Sequence, residues 1–167
     1  YDYDFAVNGV LSVITTTTYG ENESQNVKKK SYTDIYGNVA KEEVIYNDGN
    51  DVKTAITSYT YDYLGNVKTV REPRAYDEGW SEDEYTAKYE YDAFGNVTKE
   101  TDINNNSIVN TYDGMGNLVS VKDKDGNVAT NTYDVVGRLI KEKVPFQKNG
   151  LSTVYAENKY YYDANGN

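Results

Sequence analysis

One phrase recurs along this chain: Tyr-Asp, two open positions, Gly-Asn or Gly-Arg, then an aliphatic residue. It stands at Tyr61-Asp62-Tyr63-Leu64-Gly65-Asn66-Val67 and at Tyr91-Asp92-Ala93-Phe94-Gly95-Asn96-Val97. It returns at Tyr112-Asp113-Gly114-Met115-Gly116-Asn117-Leu118 and at Tyr133-Asp134-Val135-Val136-Gly137-Arg138-Leu139. Thr33-Asp34-Ile35-Tyr36-Gly37-Asn38-Val39 keeps everything but the tyrosine, and Tyr162-Asp163-Ala164-Asn165-Gly166-Asn167 is a copy met at the chain's end. Repetition of this kind describes an array of one small unit stacked on its neighbours.

The phrase has the side-chain demands of a type I turn. A short carboxylate at its first position accepts hydrogen bonds from amides inside the turn. Glycine at its fourth position takes a positive φ without a Cβ clash. A type I turn followed by a left-handed residue is a common hairpin closure with a bulge, and the bulge adds right-handed twist. Asn or Arg then restarts the strand. Asp34, Asp62, Asp92, Asp113, Asp134 and Asp163 are therefore expected to set turns, and Gly37, Gly65, Gly95, Gly116, Gly137 and Gly166 to supply the left-handed positions.

A second turn family falls between these. Asp123-Lys124-Asp125-Gly126-Asn127-Val128 keeps the pattern behind Lys122, with Asp123 and Gly126 in the turn roles. Asp102-Ile103-Asn104-Asn105 puts Asn105 where glycine would stand, and Asn is the next best residue for that conformation. Tyr46-Asn47-Asp48-Gly49-Asn50 is a looser relative. The flanks alternate with a period of two: Tyr59 and Tyr61, Tyr89 and Tyr91, and Tyr160 and Tyr162 each share a face. Tyr, Val, Thr and Ile dominate them, and all suit a pleated surface. The steps from Asp92 to Asp113 and from Asp113 to Asp134 are both 21 residues, about what two strands of ~5–6 residues and two hairpin loops require. The longer steps imply longer strands or inserted loops. The expected fold is all-β, an array of antiparallel β-hairpins in a curved or spiralling sheet with tyrosine rungs on one face. One repeat segment spans residues 1–167, with 1–32 less regular.

Such a sheet must hold without a thick aliphatic core. The 167 residues include 19 Tyr but only 3 Phe and 1 Trp, with 38% hydrophobic residues and a mean hydropathy of -0.81. Chains this polar are often disordered, but the tyrosines and the turn grammar argue for order. A packed Tyr buries roughly 150–250 Å² and still offers its hydroxyl to a neighbour. A thin wall fits this composition better than a globule.

The net charge of -10 disfavours nucleic acid, heparin-like polymers and anionic membrane as partners. Lys28-Lys29-Lys30, the only basic run, reads as a solvated strand start or an edge guard. No apolar stretch is long enough for a membrane span. With no Cys there are no disulfides, thiol nucleophiles or cysteine metal sites. With no His, the most common general base and His-based zinc sites are also missing. Neither a Gly-x-Ser-x-Gly elbow nor a phosphate-binding Gly-rich loop occurs. A calcium loop with Gly126 at its sixth position would begin at Val121 and end at Thr132, neither of which is acidic. No cofactor or metal and no catalytic residue is expected.

The repeated motif, Tyr-Asp-x-x-Gly-Asn/Arg-Leu/Val with intervening Asp-x-x-Gly-Asn turns, resembles the YD repeats of the Rhs family. That family includes rearrangement-hotspot and wall-associated proteins, the Tc-toxin BC component and animal teneurins. The likeness runs from Thr33 to Asn167. It departs at Thr33, at Asn105 and at three insertions. The resemblance implies a hairpin array spiralling into a hollow shell. In bacterial relatives the shell encloses a C-terminal toxin domain of the same polypeptide. The implied setting is a secreted or cell-surface (cell-wall) bacterial protein in which this chain is a non-catalytic interior slice of the wall. Rhs-type shells often end in an autoproteolytic junction rich in Asp-Pro. Here Pro73 and Pro145 follow Glu and Val, so that junction is expected elsewhere in a longer protein.

A rival reading is a carbohydrate-binding or cell-adhesion module. Residues 71–87 hold the sole Trp80, with Tyr76 and Tyr85, and aromatic faces beside carboxylates can stack on sugar rings. The plainer expectation is an extended hairpin folded back onto the wall. The stretch from Val144 to Lys159, and Thr15–Thr18 followed by Glu21–Lys30, read as long hairpin tips. A glycosidase built on two carboxylates is a third reading, weakened because the repeat aspartates already have turns to form.

Overall fold

The computed structural model describes residues 2–5, 11–18, 26–49, 51–77, 85–149, 152–163 and 165–166. The chain divides into two compact units, 1–88 and 89–167.

The first unit carries β1 (Asp2–Phe5), β2 (Leu11–Thr18), β3 (Asn26–Thr33), β4 (Val39–Asp48), β5 (Asp51–Tyr61) and β6 (Val67–Arg71), then a single helical turn, α1 (Arg74–Asp77), and the start of β7 (Thr86–Tyr91). The second unit takes up the end of β7 and continues with β8 (Val97–Thr101), β9 (Ser107–Tyr112), β10 (Leu118–Lys122), β11 (Val128–Tyr133), β12 (Leu139–Asn149) and β13 (Ser152–Lys159). In each unit the strands are hydrogen-bonded in chain order, antiparallel and without a crossover. The fold is all-β, an open meander.

A meander sends alternate turns to opposite edges of the sheet. In each unit the Tyr-Asp turns, and the Thr33-Asp34 copy, therefore line one edge, called here the tyrosine edge. The connections at 49–50, 72–85, 102–106 and 123–127 line the other, the bare edge. The registers near the two edges differ. On the tyrosine edge Tyr32 pairs with Lys41 but Thr33 with Val39, leaving Ala40 as an extra residue. Lys68, Val119 and Ile140 are extra in the same way next to the turns at Asp62, Asp113 and Asp134. Each is a β-bulge, which bends its strand and raises local twist. On the bare edge the hairpins around Asp102 and Asp123 run without a shift.

Among the described residues only Ala75 and Thr86 are buried. The sheet is a single layer held by its ladders, its cross-strand pairs and side chains lying along its faces. Cross-strand ion pairs contribute: Lys29 Nζ lies 2.6 Å from Glu42 Oε1, and Lys30 Nζ lies 3.9 Å from Glu43 Oε2. Lys28–Lys30 lies on β3, paired to β2 on one side and β4 on the other. The run thus lies inside the sheet and is not an edge guard, and two of its lysines, Lys29 and Lys30, are cross-strand partners for glutamates.

Two connections differ from expectation. The stretch 46–50 does not close like the other turns: Asp48 pairs with Asp51, leaving a two-residue loop at 49–50 with Gly49 at φ 64°, the tight hairpin such a loop favours. The insertion after β6 is not an extended hairpin but turns at once into α1. Pro73 presets the helical φ, and the amides of Ala75 and Tyr76 donate to the carbonyls of Glu72 and Pro73 at 3.1 and 3.0 Å. The stretch from Val144 to Lys159 does form a long hairpin. β12 and β13 pair from Lys141↔Lys159 to Asn149↔Ser152, and Pro145 stands beside a bulge at Phe146, where a strand tolerates proline.

Candidate functional site

The repeated turn is the most elaborate local structure in the molecule. At Asp34 the amide of Gly37 donates to the Asp34 carbonyl at 3.1 Å, and the amide of Asp34 donates to the Asn38 carbonyl at 2.8 Å. The Asp34 carboxylate spans the loop. Its Oδ1 accepts the amides of Tyr36 and Asn38, both at 2.9 Å, and its Oδ2 accepts the Asn38 side-chain amide at 3.0 Å. The same set recurs at Asp62, Asp92 and Asp113, and on the bare edge at Asp102 and Asp123. At Asp134 the Arg138 Nε replaces the Asn amide, at 2.7 Å. At Asp163 the amide of Gly166 reaches the Asp163 carbonyl at 3.0 Å.

The fourth turn residues have φ between 80° and 90°: Gly37, Gly65, Gly95, Gly116, Gly126, Gly137 and Gly166. Asn105 takes the same role with φ 62°. No neighbouring atom lies within 4 Å of where a Cβ would stand on Gly116 or Gly126, so backbone conformation alone demands glycine there.

Sequence reasoning gave the fifth residue only a strand-restarting role. In the structure it is the carboxylate's second partner, which is why Asn and Arg, both with a side-chain N–H at that reach, share the position. Hydrogen bonding to the ionised form lowers a carboxyl pKa. Asp34, Asp62, Asp92, Asp102 and Asp113 are each held below the ordinary carboxylate value, first by the Asn side chain and then by the turn amides. Asp134 is lowered first by the amide of Arg138 and less by its side chain. These aspartates are ionised turn clamps with their oxygens in use.

In four of the phrases the tyrosine reaches back one repeat. The Tyr61 hydroxyl donates to the Val39 carbonyl at 2.8 Å. Tyr112 donates to Val97 at 3.1 Å, Tyr133 to Leu118 at 2.9 Å, and Tyr162 to Leu139 at 2.7 Å. Val39, Leu118 and Leu139 each directly precede a bulge residue, and a bulge turns such groups out of the regular ladder. The hydroxyl takes up the displaced carbonyl. In the 21-residue repeats an asparagine two positions earlier joins it: Asn110 and Asn131 donate to the same carbonyls, both at 3.0 Å. In two longer repeats that position is Tyr59 or Tyr160, whose hydroxyls reach Glu42 and Glu142 at 3.4 Å. Burial first, then the charges of Asp34 and Glu42, push the Tyr61 hydroxyl up in pKa. It remains a donor throughout the neutral range.

The insertion of residues 71–87 forms the other notable feature. The Tyr76 hydroxyl bonds to Ser58 Oγ, and its ring lies under the Arg71 guanidinium, 4.6 Å from the centroid. Arg71 also donates to the Ala75 carbonyl at 3.4 Å. Tyr85 has φ 53°, accepts the Glu72 amide on its carbonyl at 3.0 Å, and stands 5.4 Å from the Arg74 guanidinium. Trp80 lies outside the described residues. Between the insertion and the sheet is a groove of about 580 Å³, lined by residues including Ser58, Thr69, Arg71, Tyr76 and Lys88. Among the described residues no carboxylate lines it. Tyr76 braces the insertion against β5 and β6 through Ser58 and Arg71, and Tyr85 ties its far end back to Glu72 and Arg74. Among the described residues no cluster of His, Cys, Asp or Glu is arranged to hold a metal ion.

No family model matches the chain, and no curated protein matches it. Solved structures do match. A crystal structure of the TcdB2–TccC3 complex aligns with a TM-score of 0.66 at 19% identity over 83% of this chain and 7% of that one. The same complex without its hypervariable C-terminal region gives 0.67 at 19% identity, with 83% and 7% covered. The Tc holotoxin pore of Photorhabdus luminescens gives 0.64 at 21% identity, with 78% and 6% covered. The likeness is one of fold, and this chain spans about 7% of the length of the first two chains.

Proposed function

We propose that this chain is a non-catalytic segment of the wall of an encapsulating β-shell, in a secreted bacterial protein of the Rhs type. The observation that carries the reading is the seam between repeats, where the hydroxyls of Tyr61, Tyr133 and Tyr162 take up carbonyls displaced by the preceding bulge and Tyr112 reaches back in the same way to Val97. Each bulge bends its own strand, and strands bent in repeat after repeat suit the curved wall that a closed container needs. The TM-scores of 0.64 to 0.67 to Tc-toxin structures support it. The partners on this reading are the neighbouring repeats and a C-terminal toxin domain of the same polypeptide. Among the described residues no helix is long and apolar enough to cross a membrane.

The test is electron cryomicroscopy of the full polypeptide that contains this segment, with limited proteolysis of its C-terminal region. A closed hollow particle with a protected C-terminal domain is the expected result. An open rod, or a C-terminal region cut as fast as in a separately expressed copy, would refute the reading. Among the described residues no observation favours the carbohydrate module: Arg71 lies over the Tyr76 ring, and Trp80 is outside the described residues.

A further inference from the structure

The open second and third positions of the tyrosine-edge turns carry large apolar side chains where the sheet exposes them most. Tyr36 is 84% exposed, Tyr63 93%, Phe94 84%, Met115 66% and Val135 93%. Of the sixteen large hydrophobic residues exposed among the described residues, eight occupy these positions. The corresponding positions on the bare edge are Ile103, Asn104, Lys124 and Asp125, and none is among the sixteen. Turn chemistry does not ask for this, since a type I turn accepts most residues there. A chain with a mean hydropathy of -0.81 has thus placed half of the exposed large apolar groups among its described residues in a row along the tyrosine edge of each unit.

We infer that the tyrosine edge is an association surface, and that its occupant is the same edge of a second copy of this chain. Three observations select that partner. The first is spacing. Successive tips stand two strands apart, roughly 10 Å, and a row with that interval is matched by another row of the same turns. The second is relief. Between adjacent tips of the first unit lies a groove of about 390 Å³ lined by Tyr36, Asn38, Asp62, Tyr63 and Leu64, into which a tip of the opposing row fits when the rows are staggered by half a repeat. The third is area. Three tips of the second unit, those at Asp92, Asp113 and Asp134, with Phe94, Met115, Val135 and Val136, offer on the order of 500 Å² of apolar surface, the scale at which a patch marks an interaction site. Two such rows bury roughly 1,000 Å², at the low end of specific interfaces. The turn aspartates direct their oxygens to turn amides and Asn or Arg side chains, and the charge they keep opposes the contact. The net charge of -10 on each copy opposes it at long range, where salt screens it. This inference does not rest on the shell reading.

The test is sedimentation equilibrium of the full chain up to 1 mM, at low and high salt. The expected result is a reversible dimer with a dissociation constant on the order of 100 µM, tighter at about 0.5 M than at about 0.05 M salt. The variant Leu64→Ser/Phe94→Ser/Met115→Ser/Val136→Ser changes only exposed positions, and circular dichroism checks its fold. Its dissociation constant should be at least tenfold weaker. Val154→Lys, on the terminal strand β13, should dimerise like the parent. A monomer at 1 mM, a tip variant that associates unchanged, or loss of dimer in Val154→Lys would overturn the inference. A second measurement uses the absence of cysteine. Met115→Cys should form disulfide-linked dimers at least tenfold faster than Lys124→Cys on the bare edge, and equal rates would count against the proposal.

Discussion

In the second unit the turns at Asp113 and Asp123 are neighbours in the chain and lie at opposite edges of the sheet. Both close with a carboxylate accepting two amides and an asparagine side chain. Both end in a glycine with positive φ. Before Asp113 stands Tyr112, whose hydroxyl reaches the preceding repeat; before Asp123 stands Lys122. After Asp113 the strand bulges at Val119; after Asp123 it runs in register. The outward pair is Gly114 and Met115 in one case, Lys124 and Asp125 in the other. One turn thus serves two edges, and the residues around it decide which edge bends, links to the next repeat and presents apolar surface. Reversal and association are separate properties carried by separate positions of one phrase.

The first way to sharpen that comparison is to attack what the edges share. Gly116→Val and Gly126→Val should each cost about 1–3 kcal/mol, because a branched residue resists positive φ while no atom obstructs either Cβ. Urea melts should show the two losses equal within about 0.5 kcal/mol. A much larger loss at Gly116 would mean that the tyrosine edge is strained beyond its turn.

The next attacks what they do not share. Tyr61→Phe removes the single side-chain donor seen on the Val39 carbonyl and should cost about 1 kcal/mol. Tyr112→Phe should cost less, since Asn110 still donates to Val97. Combining Tyr112→Phe with Asn110→Ala should cost more than the two single losses added, because the carbonyl then loses both donors. Strict additivity in denaturant melts would contradict the shared-acceptor account.

Acid should reach both edges together. The turn aspartates have folded pKa values below the ordinary value of 3.8. Their contribution is therefore fully present above that value and fades as pH falls through the depressed ones. Between pH 7 and about 4.5 the chain loses net negative charge, so stability should hold or rise there and fall only below about pH 4. Asn117→Ala and, on the bare edge, Asn106→Ala should each make acid unfolding begin at a higher pH, to the same degree, as followed by circular dichroism. The smallest effect is expected from Arg138→Asn, which exchanges one side-chain donor to Asp134 for another and should stay within about 0.5 kcal/mol.

The reversals are legible in the sequence because every partner in them lies within five residues. Asp, Gly and the next residue along form a local hydrogen-bonded set that needs no knowledge of the rest of the sheet. The all-β meander follows from those reversals and the period-two flanks. The bulges are a different matter. Whether Val119 or Val128 slips out of register depends on the ladder it joins, and both follow Asp-x-x-Gly-Asn at a similar distance. The seam is only partly written in the phrase: a tyrosine is plainly repeated, but its acceptor lies 15 residues back in two repeats and 22 or 23 in two others. Lys28–Lys30 reads as an edge guard only while its partners Glu42 and Glu43 are unplaced. The insertion looks like a hairpin because its aromatic and charged residues carry no helical period, yet Pro73 and two local hydrogen bonds suffice for one helical turn.

Among the described residues the turns at Asp34, Asp62, Asp92, Asp113 and Asp134 on the tyrosine edge share one length, whereas the bare edge accepts a two-residue loop at 49–50, a 14-residue excursion at 72–85 and the long β12–β13 hairpin. Diversification is therefore one-sided. A foreign segment spliced in at the bare margin leaves the spacing of the other margin untouched, so the scaffold can carry grafts of very different size at fixed intervals while its opposite rim stays uniform.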